Sequence, residues 1–196
     1  MEFTLTLIRG AYTEFEEDGR ILGRLDYPAN KDGVKMLHSK SRAGEYPAAQ
    51  AVFSSPLVRC LESARAIYPR AEIIELDHLS AFDYGIFAGK SYNEIVTDKR
   101  FKIWANSRML TAMPGGESPY VFLSRCGQAL REIADHAWKN RLENVSAITH
   151  QLVIGAMLKW GNMPGCLYCD YHPDYGSGIM TIHREGLGGL SVLKKL

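Results

Sequence analysis
No apolar run in this chain approaches the ~20 residues that a membrane span needs. No sign of charge dominates either. The 23 Lys and Arg are balanced by 22 Asp and Glu, the net charge is +1, and the two signs are interspersed. Broad nucleic-acid or membrane-surface binding through a basic face is therefore not expected. Cysteine is scarce, at four residues. Cys60 and Cys126 fall in predicted helices and read as small buried apolar residues. Cys166 and Cys169 form a Cys-x-x-Cys, with His172 following, in a Gly/Pro/Tyr-rich connection. No second cysteine pair exists to complete a zinc site. Ordinary loop cysteines are the leading reading there, with metal binding and a disulfide as alternatives. No metal or cofactor is predicted for the protein. There is no repeat, low-complexity tract or linker, and the length suits one well-buried domain spanning 1–196. The opening Met1-Glu2-Phe3-Thr4 is acidic and leads straight into a strand, so no secretory signal is read and the expected compartment is the cytoplasm.

What is present alternates. Residues 2–8 are β-branched and alternating, a strand signature. Residues 9–29 are a long glycine-punctuated loop, a kind of segment that is usually functional inside a compact domain. Asn30 is placed to cap a helix to about 42. A buried strand at 51–54 precedes Pro56 and a helix over about 57–68. Another strand covers 72–76, and 91–108 reads as helix in two pieces. Ser118 and Pro119 open the longest helix, about 118–141, with Phe122, Leu130 and Ile133 on its apolar stripe. A strand at 144–149 and a helix at 151–161 follow. Runs at 178–183 and 190–194 form a terminal hairpin, whose outer edge offers a route to a homodimer. This β-α-β-α order predicts an α/β fold: a three-layer α/β/α sandwich with a mainly parallel sheet.

Three strand ends carry the chemistry. Thr6-Leu7-Ile8-Arg9 puts an arginine at the end of the first strand, and Ala147-Ile148-Thr149-His150 puts a histidine at the end of another. Ser54-Ser55-Pro56-Leu57-Val58-Arg59 puts a second arginine just past a third. Open α/β sheets bind ligands in the crevice at these carboxyl ends. Guanidinium forks match phosphate geometry. Arg9, Arg59 and His150 are thus a candidate anion frame.

These segments resemble the histidine phosphatase superfamily, also called phosphoglycerate mutase-like. That family opens with Arg-His-Gly-x-Thr; here the run is Arg9-Gly10-Ala11-Tyr12-Thr13. Ser54-Ser55-Pro56-Leu57-x-Arg59 resembles its second phosphate-binding segment. The run Leu79 to Lys90 resembles the segment with its proton donor. Pro114-Gly115-Gly116-Glu117-Ser118 resembles a motif common in its small phosphatases, such as those acting on α-ribazole phosphate. Thr149-His150 matches its second histidine. The resemblance implies the phosphoglycerate mutase-like fold and a covalent mechanism. A histidine attacks phosphorus, the arginines and second histidine offset charge, and a glutamate protonates the leaving oxygen.

By this alignment the nucleophile position holds Gly10 and the acid position Ala81, while the retained frame is Arg9, Arg59 and His150. Losing the nucleophile of a covalent hydrolase costs on the order of 10⁶-fold in rate. The expected protein is therefore a phosphatase-fold member that binds a phosphorylated or anionic small molecule without efficient phosphohistidine chemistry. Two alternatives stand beside it. One is a working phosphomonoesterase using water held in a void beside Gly10, with Asp83 as substitute acid. The other is a scaffold or interaction protein. Glu16 replaces an expected asparagine and is a ligand-binding candidate; Arg20 and Arg24 in the same loop are candidate rim ligands or surface charges.

Overall fold
The computed structural model describes residues 1–107, 111–161, 171–184 and 190–196. Six strands form one mixed sheet: β1 (Glu2–Arg9), β2 (Ala51–Ser54), β3 (Ile73–Glu75), β4 (Asn144–Thr149), β5 (Gly178–Arg184) and β6 (Leu190–Lys195). Their order is β3-β2-β4-β1-β5-β6. The first four in that order run parallel, and β5 and β6 close one side antiparallel. The helices are α1 (Glu14–Glu17), α2 (Lys31–Arg42), α3 (Val58–Ile67), α4 (Tyr92–Ile95), α5 (Lys99–Asn106), α6 (Pro119–Lys139) and α7 (Gln151–Trp160).

Strand alternation explains the layers. Side chains two residues apart share a face. Leu5 and Leu7 of β1, Phe53 of β2 and Val145 and Ala147 of β4 pack on one face, with Phe122, Ile133 and Ala137 of α6 and Val153 and Met157 of α7. Ile8, Val52 and Ile148 point to the other, against Leu37 of α2 and Cys60, Ala64 and Ile67 of α3. This is the expected three-layer α/β/α arrangement. Trp160 leans over Gly127 so closely that a Cβ there would sit 2.3 Å from the indole. Glycine in mid-helix is the cost of that contact.

Helix starts follow the sequence signals. Asn30 caps α2 by accepting from Asp32 N, and Ser118 caps α6 by accepting from Val121 N, with Pro119 in the first turn. The 9–29 segment is not all loop. Thr13 and Glu16 form a reciprocal capping box that starts α1. β6 lies at the sheet edge, with Lys194 and Lys195 exposed. The turn joining β5 to β6, and the Cys-x-x-Cys at 166 and 169, lie outside the described residues.

The register sets the site. Arg9 pairs with Thr149 across β1 and β4, and Ser54 pairs with Ile148 across β2 and β4. Three parallel strands thus end side by side, and the residues just after them share one crevice.

Candidate active site
A pocket of about 450 Å³ occupies that crevice, lined among others by Arg9, Gly10, Arg59, Ala81 and His150. Arg59 forms its base. Although charged, it is only 4% exposed. Its Nη1 donates to the Leu25 carbonyl at 2.9 Å and its Nη2 to the Gly23 carbonyl at 2.7 Å. Gly23 has φ +57°, and a Cβ there would lie 2.9 Å from the Phe82 carbonyl. Glycine therefore lets the loop wrap the guanidinium. The first turn of α3 has no side-chain cap from Leu57; instead Asp26 Oδ1 accepts from Val58 N at 2.7 Å.

His150 follows β4 and precedes α7. Its Nε2 lies 2.9 Å from Ser55 Oγ, and its Nδ1 lies 3.5 Å from Arg59 Nη2. Cys60 Sγ stands 3.6 Å from Nε2. Burial, then the charges of Arg59, Arg125 and Arg9, hold the imidazole well below its usual titration range. His150 is therefore neutral at neutral pH. Burial pushes the Cys60 thiol up to about 12, so it stays protonated.

Gly10 sits on the pocket wall with its N–H donated to the Thr149 carbonyl at 3.0 Å. Next to it, Ala11 N donates to Ser63 Oγ at 2.9 Å, and that hydroxyl donates to the Arg59 carbonyl at 2.6 Å. The space expected beside Gly10 belongs to this pocket and is bounded on one side by that packing. A Cβ on Gly10 would lie 3.1 Å from Ser63 Oγ and 3.4 Å from Cys60 Sγ, so two side chains border the space that a larger residue would enter.

Arg9 reaches the pocket from the other side. Its guanidinium stacks 3.6 Å over the Tyr175 ring, and Nη1 donates to the Pro173 carbonyl at 2.9 Å. Tyr12 meets Tyr175 edge-on at 5.4 Å. Burial first, and Glu16 next, raise the Tyr175 hydroxyl to about 12. Glu16 lines the pocket, and its Oε2 accepts from Thr13 N and Thr13 Oγ1 at 2.9 and 3.2 Å. Arg20 also lines it, while donating to the Gly89 carbonyl at 2.9 Å and pairing with Glu94 at 3.4 Å.

Two candidates fall elsewhere. Arg24 is off the pocket wall; its Nε donates to the Ala81 carbonyl at 3.3 Å and its Nη2 lies 3.7 Å from Glu117 Oε1. Asp83, the expected substitute acid, is off the wall too. Its Oδ1 accepts from Gly85 N at 2.9 Å.

Sequence reasoning missed three residues. Arg125 grips Glu117 with two hydrogen bonds, at 2.9 and 2.7 Å, and donates to the carbonyls of His78, Ser80 and Ala81. Glu117 also accepts from Asp83 N at 2.8 Å. This buried ion pair fixes the wall that carries Ala81. Nothing in the helical spacing of α6 marks Arg125 as special. His172 lines the pocket and contacts the Gln151 side chain; Tyr175 lines it as well. The available signal was the tyrosine, proline and glycine content of 171–178, since loops beside a rigid scaffold often carry sites.

Residues 5–182 match the sequence profile of the histidine phosphatase superfamily (branch 1). The chain belongs to this family. No curated protein matches it. Solved structures with the same fold include an alpha-ribazole phosphatase from Shigella flexneri, with TM-score 0.83, 19% identity, and 97% of this chain and 96% of that chain covered. A phosphoglycerate mutase from Bacillus anthracis gives 0.82, 16%, 100% and 92%. A mutant phosphoserine phosphatase from Entamoeba histolytica, in complex with phosphoserine, gives 0.76, 19%, 98% and 96%. Among the described residues no helix is long and apolar enough to cross a membrane.

Proposed function
We propose that this chain binds a phosphorylated or otherwise anionic small molecule in the strand-end pocket, without efficient phosphohistidine catalysis. One observation carries the reading. Arg9, Arg59 and His150 converge on a pocket whose wall presents Gly10 and Ala81, the nucleophile and acid positions of the family pattern. The cationic side of the chemistry is kept. Neither glycine nor alanine can attack phosphorus or protonate a leaving group. The phosphatases and the mutase sharing the fold make a phosphomonoester the first ligand class to try.

The working-enzyme alternative draws little from the geometry. Asp83 faces Gly85 N instead of the pocket. Hydrolysis of an aryl phosphate across a broad pH range, beside the Arg59→Ala variant, tests the proposal together with a phosphate-binding titration. The expected result is phosphate binding that the variant loses, with turnover no higher in wild type than in the variant. Turnover present in wild type and absent from the variant would sink it.

A further inference from the structure
The catalytic pattern leaves Ser55 without a part, yet this buried hydroxyl sits against His150. Arginine has N–H donors only and no acceptor. We assign the tautomer in which the imidazole nitrogen facing Arg59 at 3.5 Å, Nδ1, is the bare one, since it alone lets that contact be a hydrogen bond. Nε2 then carries the hydrogen and donates to Ser55 Oγ at 2.9 Å. Ser55 Oγ also accepts from Leu57 N at 3.3 Å and has the Cys60 thiol as a neighbour. The ring is pinned at both nitrogens, with its one basic atom beside the guanidinium that would hold an anion.

We propose that Ser55 is a positioning residue that makes anion capture here proton-coupled: it fixes His150 with Nδ1 bare, and the imidazole takes up one proton as an anion arrives. This rests on the reading of the pocket as an anion site.

The surroundings account for the sign. Arg59 on α3, Arg9 at the end of β1 and Arg125 on α6 all oppose a charge on the empty-pocket imidazole. Cys60 and Tyr175 stay protonated and add no negative charge. Glu16 is engaged with Thr13, Arg20 pairs with Glu94, and His172 contacts Gln151. The entering dianion is therefore the new negative charge near Nδ1. It favours the imidazolium, whose Nδ1–H then donates to an anion oxygen. Affinity must rise as pH falls from the proton affinity of the bound state toward the lower one of the empty state.

Sulfate is the probe, because it stays a dianion across the range and removes the ligand's own titration. Calorimetric titration of the whole chain is run from about pH 8 down to about pH 5, in two buffers of different ionisation enthalpy. Wild type is expected to gain affinity by up to about tenfold per pH unit within the window and to take up close to one proton. His150→Asn is expected to bind with no pH slope. Ser55→Ala removes the acceptor for Nε2–H, which matters most in the cation, so its window moves to lower pH. Ser55→Thr, which keeps the hydroxyl, is expected to restore it. A flat profile in wild type overturns the proposal while leaving the anion site standing. A Ser55→Ala profile identical to wild type removes Ser55's role. No sulfate binding at any pH overturns both the proposal and the anion reading.

Discussion

The two walls of the pocket use their arginines in opposite ways. On the strand-end wall Arg59 and Arg9 direct charge toward the cavity and are steadied by carbonyls and a tyrosine ring. On the facing wall Arg125 is turned away from the cavity and spent on Glu117 and three backbone carbonyls. The first wall holds charge ready for a ligand. The second is well fastened and turns Ala81, Phe82 and Tyr84 toward the cavity, so in the proposed reading it supplies no carboxyl at the family's acid position. A wall can be well fastened without offering a proton donor of that kind.

The largest expected effect breaks the fastened wall. Arg125→Ala strips the buried Glu117 carboxylate of its two-pronged partner, leaving only Asp83 N and the more distant Arg24, which costs up to about 3–5 kcal/mol. A drop in thermal stability of that size, measured by melting, is the check; a surface-like loss under 1 kcal/mol would deny Arg125 its fastening role. On the charged wall, Arg59→Ala removes charge-assisted bonds worth about 1.5–3 kcal/mol. Sulfate affinity should fall by about tenfold to a hundredfold, read by the same calorimetry. An unchanged affinity would put the anion elsewhere.

Gly10→His probes both walls together. Ser63 Oγ and Cys60 Sγ border the space, so overpacking should cost about 1–3 kcal/mol. Hydrolysis of an alkyl phosphate should still not return, because the poor leaving group needs an acid and Ala81 supplies none. Strong rescue by this single change would contradict the assignment of the acid position. Pairing it with Cys60→Ala and Ala81→Glu is the sharper version, relieving the crowding and supplying a carboxyl. The smallest effect is at Arg9. Tyr175→Leu removes a cation–π contact worth about 0.5–1 kcal/mol, so sulfate affinity should change by only a few-fold, with stability little altered.

Much of this was legible from local signals. Alternation in β1 and β4, the caps at Asn30 and Ser118, and Pro119 in the first turn of α6 each follow from short-range chemistry. The convergence of Arg9, Arg59 and His150 on one crevice was legible because strand ends in a parallel sheet converge whatever the loops do. α1 was readable from Thr13 and Glu16, but glycines on both sides masked its single turn. Arg125, Tyr175 and the Ser55–His150 contact were not legible. Each depends on groups brought together from 8 to 166 positions away, and no local spacing records that. Asp83 lies off the pocket for a local reason that nearness to Ala81 in the sequence does not record: its carboxylate turns to accept from Gly85 N.

The carbonyls of Gly23 and Leu25 give Arg59 a second employer. A lineage drifting away from catalysis can discard an imidazole at position 10 by one substitution that costs the architecture little. It cannot discard Arg59 as cheaply, because the loop over 20–26 would lose the post around which it is wound. The two positions are therefore unequal: a change at 10 touches the pocket wall alone, whereas a change at 59 also reaches the loop over 20–26.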